Sequence, residues 1–239
     1  MISKNEIKYI QTLYHKKNRD AENVFIAEGT KLINELLQSD FGIKQIYATK
    51  EWLNTNSNVS AKEVSQNELE KISRLETPHQ VLAIIHKKKE IEKEDYTNQI
   101  TLLLDGIQDP GNLGTIIRIA DWFGIQKIIA TKDTADCFNP KTVQSTMGSI
   151  FRVAVYYKDV PEFLKENTIK VYGAMLNGKN IREHKPVKEG ILIIGNESKG
   201  IRDNIKSFVE ESLSIPAFGK AESLNAAVAA GIILSHIIQ

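Results

Sequence analysis

Three stretches of this sequence end an apolar run in a glycine-bearing turn and then offer amide, carboxylate or hydroxyl side chains. The first is Leu104-Asp105-Gly106-Ile107-Gln108-Asp109-Pro110-Gly111-Asn112-Leu113-Gly114-Thr115, continuing into Ile116-Ile117-Arg118-Ile119-Ala120. A strand, a turn and a helix start in that order leave free backbone N–H groups, which suit an anion. Asn112 serves there either as a plain helix cap or as a polar group aimed at a ligand. Arg118, set among isoleucines, is either a salt-bridge partner or a group held to meet phosphate or a developing oxyanion. The spacing is not G-x-G-x-x-G, which disfavours a nicotinamide enzyme.

The second stretch is Ile193-Ile194-Gly195-Asn196-Glu197-Ser198-Lys199-Gly200-Ile201. Gly195 and Gly200 permit close backbone approach to a ligand, and Glu197 lies two residues beyond the strand end. The third runs from Ile215-Pro216-Ala217-Phe218 through Ser223-Leu224-Asn225 into the small-residue run 226–231. Ser223 is a candidate helix cap, and the small residues let that helix pack very close to a neighbour or to backbone wrapped around a ligand. Three such strand-end loops in one region point to a site.

The elements that must position these loops follow from periodicity. Residues 4–17 read as an amphipathic helix with Ile7, Ile10, Leu13 and Tyr14 on one face. Then come the apolar segment 24–27, a helix through Leu32, Ile33, Leu36 and Leu37, a strand at 43–48, a helix near 66–73 and a strand at 81–85. Strand–helix alternation predicts a small α/β layer structure here. The charged stretch 87–99 is the best boundary, giving domains of 1–90 and 100–239 joined by a linker of 91–99.

From residue 100 the pattern is that of an open, mostly parallel sheet. Strands are predicted at 100–104, 128–130, 153–156, 169–174, 191–194 and 213–215. Helices are predicted at about 111–123, 140–147, 160–166 and 224–238. Ligands of such sheets sit at the carboxyl ends of the strands.

Composition sets outer limits. The 239 residues carry a formal net charge of +1, so bulk charge does not mark a nucleic-acid binder. Local basic clusters are Lys16, Lys17 and Arg19, and Lys87, Lys88 and Lys89. The single cysteine, Cys137, excludes an internal disulfide framework. The five histidines show no metal-ligand spacing, and no metal is expected. No apolar run reaches the roughly 18 residues of a membrane span, and MISKNEIKYI lacks a signal-peptide core. A cytoplasmic protein without a membrane partner is the expectation.

Together the three loops resemble the motifs of the SpoU/TrmH family, part of the SPOUT class of RNA methyltransferases. DPGNLGTIIRIADWFG is similar to its first motif, IIGNESKGI to its second and SIPAFGKAESLNAAVAAGIIL to its third. The N-terminal part resembles that family's substrate-binding domain, a ribosomal-protein-like α/β fold. That likeness rests on residues 2–5, Val24-Phe25-Ile26-Ala27-Glu28-Gly29 and Thr77-Pro78-His79-Gln80-Val81-Leu82-Ala83.

The resemblance implies a SPOUT α/β domain with a parallel sheet and a C-terminal trefoil knot. It further implies a homodimer in which each site is completed by the partner. The implied activity is methylation of a ribose 2′-hydroxyl in structured RNA, ribosomal rather than transfer RNA, with S-adenosyl-L-methionine as donor. Asn112, Arg118, Glu197, Ser223 and Asn225 match the family's polar active-site positions. The donor-binding set implied is Ala174, Met175, Leu176, Asn177, Gly178, Gly195, Asn196, Glu197, Gly200, Ile215, Ala217, Ser223, Leu224 and Asn225. RNA contacts are expected from Lys16, Lys17, Arg19 and Arg118. Two alternative readings stay open: a SPOUT enzyme acting on a base, and a non-catalytic RNA-binding, ribosome-associated factor.

Overall fold

The computed structural model describes residues 1–88 and 95–238. The chain forms two compact units, Met1–Lys89 with Phe138–Phe151, and Glu90–Cys137 with Arg152–Gln239. Lys89 and the first part of the expected linker, 91–94, lie outside the described residues.

In the first unit, helices α1 (Lys4–Thr12) and α2 (Lys16–Glu22) precede strand β1 (Val24–Glu28). Helix α3 (Thr30–Leu37), strand β2 (Ile43–Ala48), helix α4 (Lys50–Thr55), the short strand β3 (Lys62–Glu63), helix α5 (Gln66–Ile72) and strand β4 (Val81–His86) follow. The sheet order is β1-β4-β2-β3, with β4 antiparallel to both β1 and β2. Ser3 and Glu6 form a reciprocal capping box at the start of α1, and Ser65 and Glu68 do the same for α5.

The single helix predicted over 4–17 is two helices. Ile10, Leu13 and Tyr14 all enter one core, so apolar spacing runs through the break without marking it. What makes the break stable is Arg19, only 1% exposed, whose Nη1 donates to the carbonyls of Leu13 (3.0 Å) and Tyr14 (2.9 Å). Those two carbonyls belong to the link between α1 and α2. Arg19 is therefore a buried structural group and not the RNA contact expected from its basic neighbours.

Helix α7 (Pro140–Thr146), expected with the second sheet, packs in the first unit. The aromatic side chains that flank it explain this. Phe138 lies 4.7 Å and Phe151 6.4 Å from the ring of Phe25, and Phe151 meets Phe41 edge-on at 5.5 Å. Periodicity gives an element's type but not which core it joins.

The second unit contains β5 (Ile100–Asp105), α6 (Pro110–Trp122), β6 (Lys127–Thr131), β7 (Ala154–Lys158), α8 (Val160–Glu166) and β8 (Val171–Asn180). It ends with β9 (Gly190–Gly195), α9 (Asp203–Lys206), β10 (Glu211–Ser214) and α10 (Ala226–Ile237). All neighbours in the order β10-β8-β9-β5-β6-β7 are parallel. Every residue of β5 is buried, as a central strand covered on both faces requires. From β5 the chain runs outward to β6 and β7, then returns on the opposite side through β8 and β9. The strand order thus reverses between β5 and β9, where Asp105 pairs with Gly195 at the carboxyl ends. Such a reversal opens the crevice in which ligands of open α/β sheets bind.

One titration follows from the first unit's packing. Lys62, with Nζ 2.7 Å from Glu6 Oε1, and the Ser3 N–H hold the Glu6 carboxyl down at about 2 against an ordinary 4.5. The folded value is the lower one, so the pair stabilises the fold above pH 4.5 and loses that effect as pH falls towards 2. Thermal melts of Glu6→Gln and the native chain should differ most near neutral pH and converge near pH 2.

Candidate active site

At the carboxyl edge of the second sheet, local capping decides which side chains are free to act. Asp109 caps α6, accepting from the Asn112 N–H at 2.9 Å. Asn112 is therefore released from the capping role open to it in the sequence, and its side chain projects towards the other two loops. Its Nδ2 donates to Glu197 Oε1 at 2.6 Å, and its Oδ1 accepts from Asn225 Nδ2 at 2.9 Å.

Asn225 in turn caps α10. Its Oδ1 accepts from the N–H groups of Ala227 (3.0 Å) and Val228 (3.2 Å). This sets the orientation of the whole chain of groups. With the Asn225 oxygen held by α10, its nitrogen faces Asn112; Asn112 must answer with its oxygen, which leaves its nitrogen for the Glu197 carboxylate. Three loops far apart in sequence thus meet through one hydrogen-bonded line.

The second loop is braced separately. Asn196 donates from Nδ2 to the Gly106 carbonyl at 2.8 Å and accepts at Oδ1 from Ser198 N, Ser198 Oγ and Lys199 N. Its side chain is spent on bracing the turn. Asn196 and Gly200 exchange backbone hydrogen bonds of 3.1 and 2.9 Å across the turn. A Cβ on Gly195 would stand 2.3 Å from the Gly200 carbonyl carbon, so the loop closes only around glycine.

Beneath it lies a group the sequence reading passed over. Asp105, with a side chain 0% exposed, receives hydrogen bonds from Arg202 N (2.8 Å) and Nε (2.6 Å). The Arg202 guanidinium also reaches Asp133 at 3.1 and 3.3 Å. The Thr131 hydroxyl, and after it Arg202, keep the Asp133 carboxyl below its ordinary range. A lone carboxylate closing an otherwise apolar strand was the signal available for Asp105.

The remaining expected residues divide. Residues 174–178 belong to β8 but leave its ladder with β10, whose pairing jumps from Ser212↔Gly173 to Leu213↔Lys179. Within that excursion Leu176 is 76% exposed, while Met175 receives a contact from Ser212 Oγ at 3.1 Å. Leu224 and Ala217 are exposed and Ile215 is half-buried. Ser223, a candidate cap, is not one: α10 begins two residues later than predicted, and the longer-reaching Asn225 takes the position. Ser223 is exposed and makes no hydrogen bond among the described residues.

Arg118 is exposed and likewise has no hydrogen bond or ion pair among the described residues. Six residues along α6, it leaves the helix about 120° around and about 9 Å beyond Asn112. It is not brought into the Asn112–Glu197–Asn225 line within the chain. Among the described residues no cluster of His, Cys, Asp or Glu is arranged to hold a metal ion.

A parallel α/β sheet whose order reverses beside a polar, three-loop crevice defines a ligand-binding enzyme domain of the open-sheet class. The profile of the SpoU rRNA Methylase family matches residues 99–235, and that of an MRM3-like substrate binding domain matches residues 4–83. The chain belongs to the SpoU rRNA methylase family. It is 35% identical to the 23S rRNA (guanosine(2553)-2′-O)-methyltransferase RlmP of Bacillus subtilis, over 98% of this chain and 97% of that one. The 23S rRNA (guanosine-2′-O-)-methyltransferase RlmB of Coxiella burnetii is 28% identical, over 95% and 87% of the two chains. Among solved structures, an AdoMet-bound rRNA methyltransferase from Sinorhizobium meliloti matches with a TM-score of 0.87 at 29% identity, covering 99% of this chain and 95% of that one.

Removing the central amide tests how the line is held. Asn112→Ala leaves Glu197 and Asn225 free to rehydrate, because neither is buried. The stability cost should stay near 1 kcal/mol, read as a shift in the urea midpoint.

Proposed function

We propose that this chain transfers a methyl group from S-adenosyl-L-methionine to a ribose 2′-hydroxyl of structured RNA, ribosomal RNA in particular. The observation that carries this reading is the Asn112–Glu197–Asn225 line at the sheet's reversal point. The named activities of the similar proteins, 2′-O-methylation of 23S rRNA, support the chemistry.

The loops suit the donor. Residues 216–222 make no hydrogen bond to the rest of the chain among the described residues, so their backbone groups are free for a ligand. Leu176 and Leu224 leave apolar surface open beside them, suited to an adenosine. The residues we assign to holding it are 174–178, 195–197, Gly200, Ile215, Ala217 and 223–225. When bound, the donor supplies a methyl group already activated on a sulfonium, so the protein needs to provide only binding, orientation and electrostatics.

Asn112 and Asn225, rigidly oriented, hold the ribose hydroxyl, and such positioning alone lowers a barrier by several kcal/mol, up to about 7–11 kcal/mol in favourable cases. A guanidinium is never deprotonated in a protein. Arg118 therefore binds the adjoining phosphate and stabilises the developing alkoxide, while the proton passes to phosphate, water or Glu197.

The exposed, unengaged state of Arg118 fits a site finished by a second subunit. Trp122 on α6 is 85% exposed and Val228 on the adjoining α10 is 50% exposed, an apolar face suited to a homodimer. The trefoil knot of the resembled class would thread the loops between β8 and α10. The first unit is assigned to RNA binding, with Lys16 and Lys17 at its surface and a ribosomal-protein-like fold. No helix among the described residues is long and apolar enough to cross a membrane, and we place the protein in the cytoplasm.

The direct experiment incubates the protein with labelled donor and total RNA, then analyses nucleosides. A 2′-O-methylated nucleoside is expected; a base-methylated product, or no transfer, refutes the reading. Arg118→Ala should abolish turnover while calorimetric donor binding survives. Trp122→Glu should convert the dimer to monomer by light scattering.

A further inference from the structure

The segment from Asn196 to Arg202 is fastened at both ends to the same turn, Asp105-Gly106, at the carboxyl end of the central strand. At one end Asn196 Nδ2 donates to the Gly106 carbonyl at 2.8 Å. At the other, Arg202 donates to Asp105 through its backbone N–H at 2.8 Å and its Nε at 2.6 Å. Between the two fastenings sits Glu197, the acceptor for Asn112.

The second fastening is chemically odd for a purely structural one. Asp105 is a fully buried carboxylate, costly to bury, while the Arg202 side chain that meets it is 43% exposed. What an ion pair gives that an apolar pair does not is direction. A guanidinium is a rigid planar fork, and this one spans two carboxylates at once, Asp105 closing β5 and Asp133 just beyond β6. The Asp133 side is itself tied in, because the Gly106 N–H donates to Thr131 Oγ1 at 3.0 Å. The end of the loop is thereby referenced to two neighbouring strands.

We infer that Arg202, acting through Asp105 and Asp133, is a positioning residue that sets the 196–201 loop in the geometry that binds the methyl donor. This rests on the assignment of that loop to the donor. Arg202 does not touch the reacting atoms; it acts through the loop backbone and Glu197. A lysine at this place keeps a charge for Asp105 but, being a point donor, does not span both carboxylates.

The test uses the full chain, with S-adenosyl-L-methionine binding by calorimetry, steady-state kinetics on RNA and thermal melts. For Arg202→Lys the donor Kd should rise about tenfold, with the RNA KM and the kcat at saturating donor within about threefold of native. The neutral pair Asp105→Asn with Arg202→Gln, which leaves no buried charge unpaired, should show the same donor-specific loss and serves if the single variant folds poorly. A donor Kd within about twofold of native in both proteins overturns the inference, as does weaker donor binding accompanied by a comparable rise in RNA KM and a fall in melting temperature, the mark of a merely structural tie. Native protein that binds no donor would instead overturn the functional assignment itself, and this inference with it.

Discussion

Asn112 has one amide oxygen and one amide nitrogen, and the structure allows only one way round for them. The orientation is imposed from a distance: the backbone N–H groups that open α10 fix Asn225, and Asn225 fixes Asn112. The Glu197 carboxylate completes the line as an acceptor. Each of the three groups sits on a different strand-end loop, so the crevice exists only if all three loops keep their places. The parallel sheet supplies that constraint, since β5 and β9 pair residue for residue from Ile100↔Gly190 to Asp105↔Gly195. Local capping chemistry and sheet topology therefore act on the same few atoms.

The division of labour between neighbouring polar residues is sharp. Asp109 caps α6 and frees Asn112; Asn225 caps α10 and still has a nitrogen to spare; Asn196 spends its side chain on the turn. Three asparagines and one aspartate thus divide into two helix caps, one turn brace and one side chain free to link the loops, decided by which backbone N–H groups lie within reach. The buried Asp105 beneath them is shut off from bulk solvent and receives its hydrogen bonds from Arg202.

Much of this was legible in the sequence. The strands that end in the first two loops, β5 and β9, are largely apolar runs, and Asn112 and Glu197 stand just beyond them; Asn225 is placed as the cap of α10. Other features were not legible, each for a definite reason. The break between α1 and α2 is masked because apolar spacing continues across it, and it depends on a buried arginine that looks like a surface charge. The short helices α4 and α9, six and four residues long, fall below what periodicity resolves. Helix α7 was found but given to the wrong core, because Phe25, Phe41, Phe138 and Phe151 meet only in the fold. Arg118 is grouped with Asn112 by the resemblance alone, and a separation of six residues puts them on different faces of α6.

The central claim is that residues of three separate loops form one binding surface at the carboxyl edge of the second sheet. Hydrogen–deuterium exchange with and without S-adenosyl-L-methionine reads this directly. The account predicts that donor slows exchange together in 174–178, 195–200 and 215–225. Protection confined to one of those segments, or falling on the first unit instead, would contradict it.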